Sequence, residues 1–110
     1  MDEYVLKCLF DIQECVNSIE NYLGEKRDFR EYQSNKLLRR VIEREFSIIG
    51  ETLNRINKVQ KLEIQFYQRI ISLRNKIVHS YDNVDDIVMW EIITKHLPIL
   101  KTEVQNLLNT

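Results

Sequence analysis

Val5, Leu9, Ile12, Val16, Ile19 and Leu23 follow one another at spacings of four and three residues. On an α-helix that spacing lines up one face, whereas on a strand it would scatter the same side chains over both. Residues 3–23 therefore read as an amphipathic helix with a narrow stripe, like the seam of a bundle. Gly24 follows Leu23 where a C-terminal cap belongs. The polar run 25–28 reads as a connection.

The same rhythm recurs along the rest of the chain. In residues 29–57, Leu38, Ile42, Ile49, Leu53 and Ile56 share a face that Val41, Phe46 and Ile48 broaden. Ser34 and Asn35 suit the cap of a long helix, which leaves 29–33 as a short turn. Gly50 sits inside that helix at a cost of ~1 kcal/mol against Ala, and its plainest use is to let another helix come close. Residues 58–61 form the next connection. In residues 62–80, Phe66, Ile70, Leu73 and Ile77 form a third stripe, flanked by Tyr67, Ile71 and Val78. Asp82-Asn83-Val84-Asp85 is a stop-and-restart signal. A fourth segment then carries Ile87, Val88, Trp90, Ile92, Ile93 and Leu97, and resumes after Pro98 with Ile99, Leu100, Val104, Leu107 and Leu108. Pro98 removes a backbone donor and is expected to kink or restart that helix.

Little in the chain interrupts this pattern. Its 110 residues include two Gly, one Pro and no Ala, which argues against collagen, linkers and turn-rich β folds. At 44% hydrophobic and 30% charged, it is too apolar for disorder and too charged for a membrane protein. The expected fold is all-α: one domain over 1–110, an up-down bundle of four long helices, with a fifth after Pro98 if the helix restarts there. Segments two to four are apolar over more than half a circumference. That suggests a homodimer that covers part of the surface, including some of segment four; the plainer alternative is a monomer with a central fourth helix.

Met1-Asp2-Glu3 is the opposite of a basic leader, and no apolar run approaches ~18 residues, so a cytoplasmic protein is expected. Cys8 and Cys15 are seven apart on one helix, roughly 10 Å, too far to bridge. They read as buried small hydrophobes in a reducing compartment rather than as a redox or metal pair. No Cys or His cluster has metal spacing and no Gly-rich loop could cradle a phosphate, so neither metal nor cofactor is expected. The net charge of −1 excludes a generally basic nucleic-acid coat, so any such contact needs a local patch. One exists: between Arg55 and Lys76 there are six basic residues and one acid, whereas Asp82 to Glu91 holds four acids and no base. The bland alternative is a pair of solvated helix faces, with acids placed well at a helix N-terminus.

Arg74-Asn75-Lys76-Ile77-Val78-His79-Ser80-Tyr81 puts a guanidinium, an amide, an imidazole and a phenol directly before the break. These groups suit phosphodiester cleavage without a metal. Arginine binds phosphate bidentately and stabilises the charge of the transition state. Histidine takes or gives a proton near neutrality. RNA supplies the internal 2′-hydroxyl that such cleavage needs. On a regular helix His79 lies about 140° round from Arg74, so either the chain turns near His79 or a second subunit completes the site. Spacing alone favours the ordinary alternative, a surface arginine and a capping or core histidine. His96, just before Leu97-Pro98, reads as structural or exposed.

The eight-residue stretch resembles the Arg-x4-His-x-Tyr pattern of the HepT-like branch of the HEPN superfamily. Ile48-Ile49-Gly50-Glu51 is similar to the Ile-Gly-Glu signature of that branch. Trp90-Glu91-Ile92-Ile93 with Leu97-Pro98-x-Leu100 is similar to its final segment. The resemblance spans nearly the whole chain. It implies a homodimeric helical bundle with paired motifs at a shared cleft. It also implies a metal-independent endoribonuclease, the toxin of a toxin–antitoxin pair acting on RNA such as tRNA or mRNA. The antitoxin would be a minimal nucleotidyltransferase that attaches AMP to the motif tyrosine, here Tyr81. By the same resemblance Arg74 and His79 are the catalytic pair and Asn75 a polar helper. Glu51 falls on a signature position where packing, an ion pair near Arg74 and chemistry are equally open. Two other classes stand beside this: a non-catalytic HEPN module that binds a nucleotidyltransferase or a nucleotide, and a purely structural dimerising bundle.

Overall fold

Asp2 opens the first helix by accepting the Tyr4 N–H at 2.7 Å, and α1 runs over Glu3–Leu23. It closes at Gly24, which takes φ 72° and donates its N–H to the Glu20 carbonyl at 3.0 Å. A positive φ there is one that a side chain would resist, so the glycine ends the helix as expected. The computed structural model describes residues 1–79 and 84–110.

α2 covers Phe29–Ser34 and α3 covers Lys36–Val59. Residues 29–33, expected as a turn, are a short helix instead. Asp28 caps it, accepting the Arg30 N–H at 2.9 Å, and it buries Tyr32 beside Trp90, with ring centroids 5.4 Å apart. Asn35 ends α2 and caps α3, its Oδ1 accepting the Leu38 N–H at 3.0 Å. α4 is Tyr67–His79, shorter at its start than residues 62–80 suggested. Residues 60–66 are not helical, because Ile64 is drawn down into the core as an anchor and Glu103 captures the Gln65 N–H at 3.0 Å. Tertiary burial overrides the local helical rhythm there.

The last segment is α5 (Asp86–Glu91), a π-helical turn over Ile92–His96, and α6 (Leu97–Leu108), with no break between them. Pro98 therefore neither ends the helix nor starts a separate fifth one. It falls in the first turn of α6, where its missing N–H is tolerated, and the turn before it is widened. The Leu97 N–H reaches back to the Ile92 carbonyl, the five-residue step of a π turn.

The result is a helical bundle of four long helical runs plus the short α2. α1 packs against α3 and α6, and α3 also packs against α4 and α2. Val5, Leu9, Ile12, Val16 and Ile19 of the first stripe are all buried, as are Ile42, Phe46, Ile49, Leu53 and Ile56 of α3. They join Ile70 and Leu73 of α4 and Met89, Ile92, Leu97, Leu100 and Val104 of the last run in one cluster. Burying such side chains stabilises by about 1.5–3 kcal/mol each, and this is the main force closing the bundle. Cys8 and Cys15 are buried free thiols, consistent with a packing role. Among the described residues, no helix is long and apolar enough to cross a membrane.

Candidate functional site

α4 brings the candidate residues to the surface. Ile70 and Leu73 fix one side of this helix in the core. Arg74, next in sequence, lies at the boundary, while Asn75 and His79 are exposed. The helix keeps its geometry through His79, its last residue. The five-residue step from Arg74 thus leaves His79 about 140° round the axis. Tyr81, with Ser80, Asp82 and Asn83, lies outside the described residues.

Arg74 crosses α3 at Gly50. A methyl group on Gly50 would stand 2.6 Å from both Cβ and Cγ of Arg74, far inside normal contact. Beyond this crossing the guanidinium is pinned on one side: Arg74 Nη1 donates to Asn75 Oδ1 at 3.0 Å. Its Nε is shut off from solvent and has no hydrogen-bond partner among the described residues. A buried charged donor without a partner is costly, and a carboxylate or phosphate oxygen is the strongest acceptor for one. Glu51, one residue beyond Gly50, is exposed and forms no ion pair among the described residues.

The surrounding charges are partly spent on holding helices together. Arg69 of α4 pairs with Glu91 of α5 at 3.1 Å, and Arg39 of α3 approaches Asp86 at 3.8 Å. Arg55 donates to Thr52 Oγ1 at 3.2 Å. The acidic stretch after the motif thus answers two arginines, each pair being partly exposed and worth at most about 1 kcal/mol. Sequence pattern marked the basic run but could not show that Arg69 is taken. His96 is a packing residue: its ring meets Phe66 edge-on at 4.2 Å, with Nδ1 3.4 Å from the Glu91 carbonyl oxygen. Among the described residues, no three His, Cys, Asp or Glu side chains gather closely enough to share a metal ion.

Two of these features escaped the sequence. Asn75 reads from the sequence only as a polar helper, and in the fold it holds the guanidinium by accepting its hydrogen bond. Gly50 signalled a close approach, but nothing local said that the approaching group is Arg74.

A helical bundle displaying this arginine and histidine on one helix fits a known class. The family described as "Ribonuclease HepT-like" matches residues 12–107, and the chain belongs to that family, within the HEPN superfamily. It is similar to a Methanocaldococcus jannaschii protein named "Putative RNase MJ1380", with 31% identity over 99 residues, covering 88% of this chain and 90% of the relative. It is also similar to a Thermococcus cleftensis protein named "Probable ribonuclease HepT", with 29% identity over 101 residues, covering 90% and 91% of the two chains. No solved structure matches the chain. Membership in this family supports a ribonuclease of the HEPN type.

Proposed function

We propose that the chain is a metal-independent endoribonuclease, the toxin of a toxin–antitoxin pair, working in the cytoplasm as a homodimer. The observation that carries this is Arg74, whose water-shielded Nε–H has no partner among the described residues, on the helix that ends in an exposed His79. Arg74 binds the scissile phosphate and stabilises the charge that builds on it. A His79 imidazole takes the proton of the ribose 2′-hydroxyl as O2′ attacks phosphorus. The O2′–P bond forms, the P–O5′ bond breaks, and a second imidazole, protonated, gives its proton to the departing oxygen. The products are a 2′,3′-cyclic phosphate and a 5′-hydroxyl. One His79 cannot stand on both sides of the phosphorus, and it lies well round the helix from its own Arg74. A second copy of the chain supplies the other imidazole. Val78 within the motif and Ile87 after it in sequence, large apolar side chains left exposed, are surface that such a pairing would cover.

Regulation follows from the same site. A minimal nucleotidyltransferase attaches AMP to Tyr81, and the added bulk and negative charge near Arg74 exclude a phosphate. Asn75 keeps the guanidinium oriented. Induced expression tests the whole reading. Wild type should arrest growth and His79→Ala should not, and co-expressing the cognate nucleotidyltransferase should restore growth and add the mass of AMP to Tyr81. Arrest that persists with His79→Ala refutes the role given to that imidazole. Wild-type protein that accumulates without arrest points instead to a non-catalytic binding module.

A further inference from the structure

Gly50 has ordinary helical geometry, since Gly24 is the one residue with positive φ among those described. Its value is therefore not backbone freedom. It is buried in the middle of α3, where Ala would be the better helix former by ~1 kcal/mol. What Gly50 provides is space, and one group uses that space: the Cβ and Cγ of Arg74, each 2.6 Å from where a methyl would stand, with Cδ at 3.5 Å.

Two features make this contact more than general packing. Cβ is fixed by the backbone of α4 and cannot swing aside as the end of a flexible side chain would. The stem seated on Gly50 belongs to the very residue whose Nε is shielded and has no partner among the described residues. A stem lodged in a groove has few rotamers, so the guanidinium is aimed before any ligand arrives. Relieving a 2.6 Å contact to an ordinary one would move the Arg74 stem by roughly 1 Å, and a misplacement of that size can cost about 100-fold in rate.

We propose that Gly50 is a positioning residue for the phosphate site: its absent side chain forms the seat that aims the Arg74 guanidinium. This rests on the reading of Arg74 as the phosphate ligand. Gly50 acts through Arg74, and it touches no substrate itself.

Double-mutant binding tests it, using a fluorescein-labelled single-stranded RNA in a His79→Ala background so that nothing is cut. Arg74→Gln and Gly50→Ala should each weaken binding roughly tenfold, as expected for a lost hydrogen bond from a charged group. The two together should be no weaker than Arg74→Gln alone. Glutamine keeps Cβ and Cγ, so the clash persists in the double variant. A merely structural effect of the new methyl would therefore still appear as further weakening. That additive result overturns the proposal, as does full affinity in Gly50→Ala. If Arg74→Gln leaves affinity unchanged, the phosphate role of Arg74 fails, and this proposal with it. If only Gly50→Ala is silent, the seat alone fails. Should Gly50→Ala not fold, Gly50→Ala with Arg74→Gly removes both atoms it strikes. A melting temperature equal to that of Arg74→Gly alone, the proper reference because glycine weakens α4 by itself, then supports the seat, and a clearly lower one refutes it.

Discussion

Tyr32 and Cys15 show how burial alone changes side-chain chemistry. Tyr32 is fully enclosed, yet its hydroxyl has no hydrogen-bond partner among the described residues. Tyr32→Phe should therefore raise stability by about 1 kcal/mol, because it removes a polar group that lost water and gained nothing. Chemical denaturation would show the gain, and a clear loss would mean that the hydroxyl is satisfied in solution. Burial also pushes the Cys15 thiol up to about 12 from an ordinary 9.0, helped by a hydrogen bond to Glu45 and the charges of Glu45, Asp11 and Glu14. The folded protein thus keeps a proton that the unfolded chain gives up. Its contribution to stability is whole below pH 9 and is lost as pH rises towards about 12. The Tyr32 phenol is raised too, by burial first and then by Glu43 and Asp86, against Arg39 and Arg40. Melting temperature should fall steadily above pH 9, and Cys15→Ala should make that fall shallower. An equal slope in both proteins would show that Cys15 is open to solvent.

At the scale of elements, single side chains decide where helices begin. Asn35 is the joint between α2 and α3 and accepts the Leu38 N–H, one of the free donors in the first turn of the longer helix. Asn35→Ala should cost about 1 kcal/mol, read as a lower denaturation midpoint at unchanged slope. The short α2 matters beyond its length, because it carries Tyr32 and Phe29 to Trp90, the latter ring pair 5.7 Å apart. A lost cap should loosen that aromatic cluster first, visible as a change in tryptophan fluorescence before global unfolding. Fluorescence that holds until the main transition would place α2 within the cooperative core.

Across the whole molecule, net charge is near zero and the RNA reading depends on where the cations stand. Arg39 and Arg69 brace α5 through Asp86 and Glu91, whereas Arg74 has a water-shielded Nε–H with no partner among the described residues. Cleavage should survive a chelator and weaken with added salt, since phosphate contacts release counterions. Strict dependence on magnesium would count against the mechanism. Sedimentation should give a dimer, and variants of His79 and Arg74 mixed as heterodimers should report whether two copies share one cleft. A strictly monomeric, active protein would refute the shared site.

The four long helical runs were legible in the residues, because a repeat of three and four leaves an apolar face that only a helix can bury as one stripe. So were the caps at Gly24 and Asn35, which are local backbone chemistry. Other features depended on contacts between distant parts of the chain. Residues 62–66 carry a helical rhythm, yet Ile64 is drawn into the core and the helix waits until Tyr67. Pro98 looks like a break, but a π turn absorbs it. Gly50 announced that something would come close, and only the crossing of α3 by α4 made that something Arg74. Periodicity is a property of neighbours along the chain. Which side chain fills a gap, and which charge is already spoken for, is fixed when helices far apart in sequence share one core.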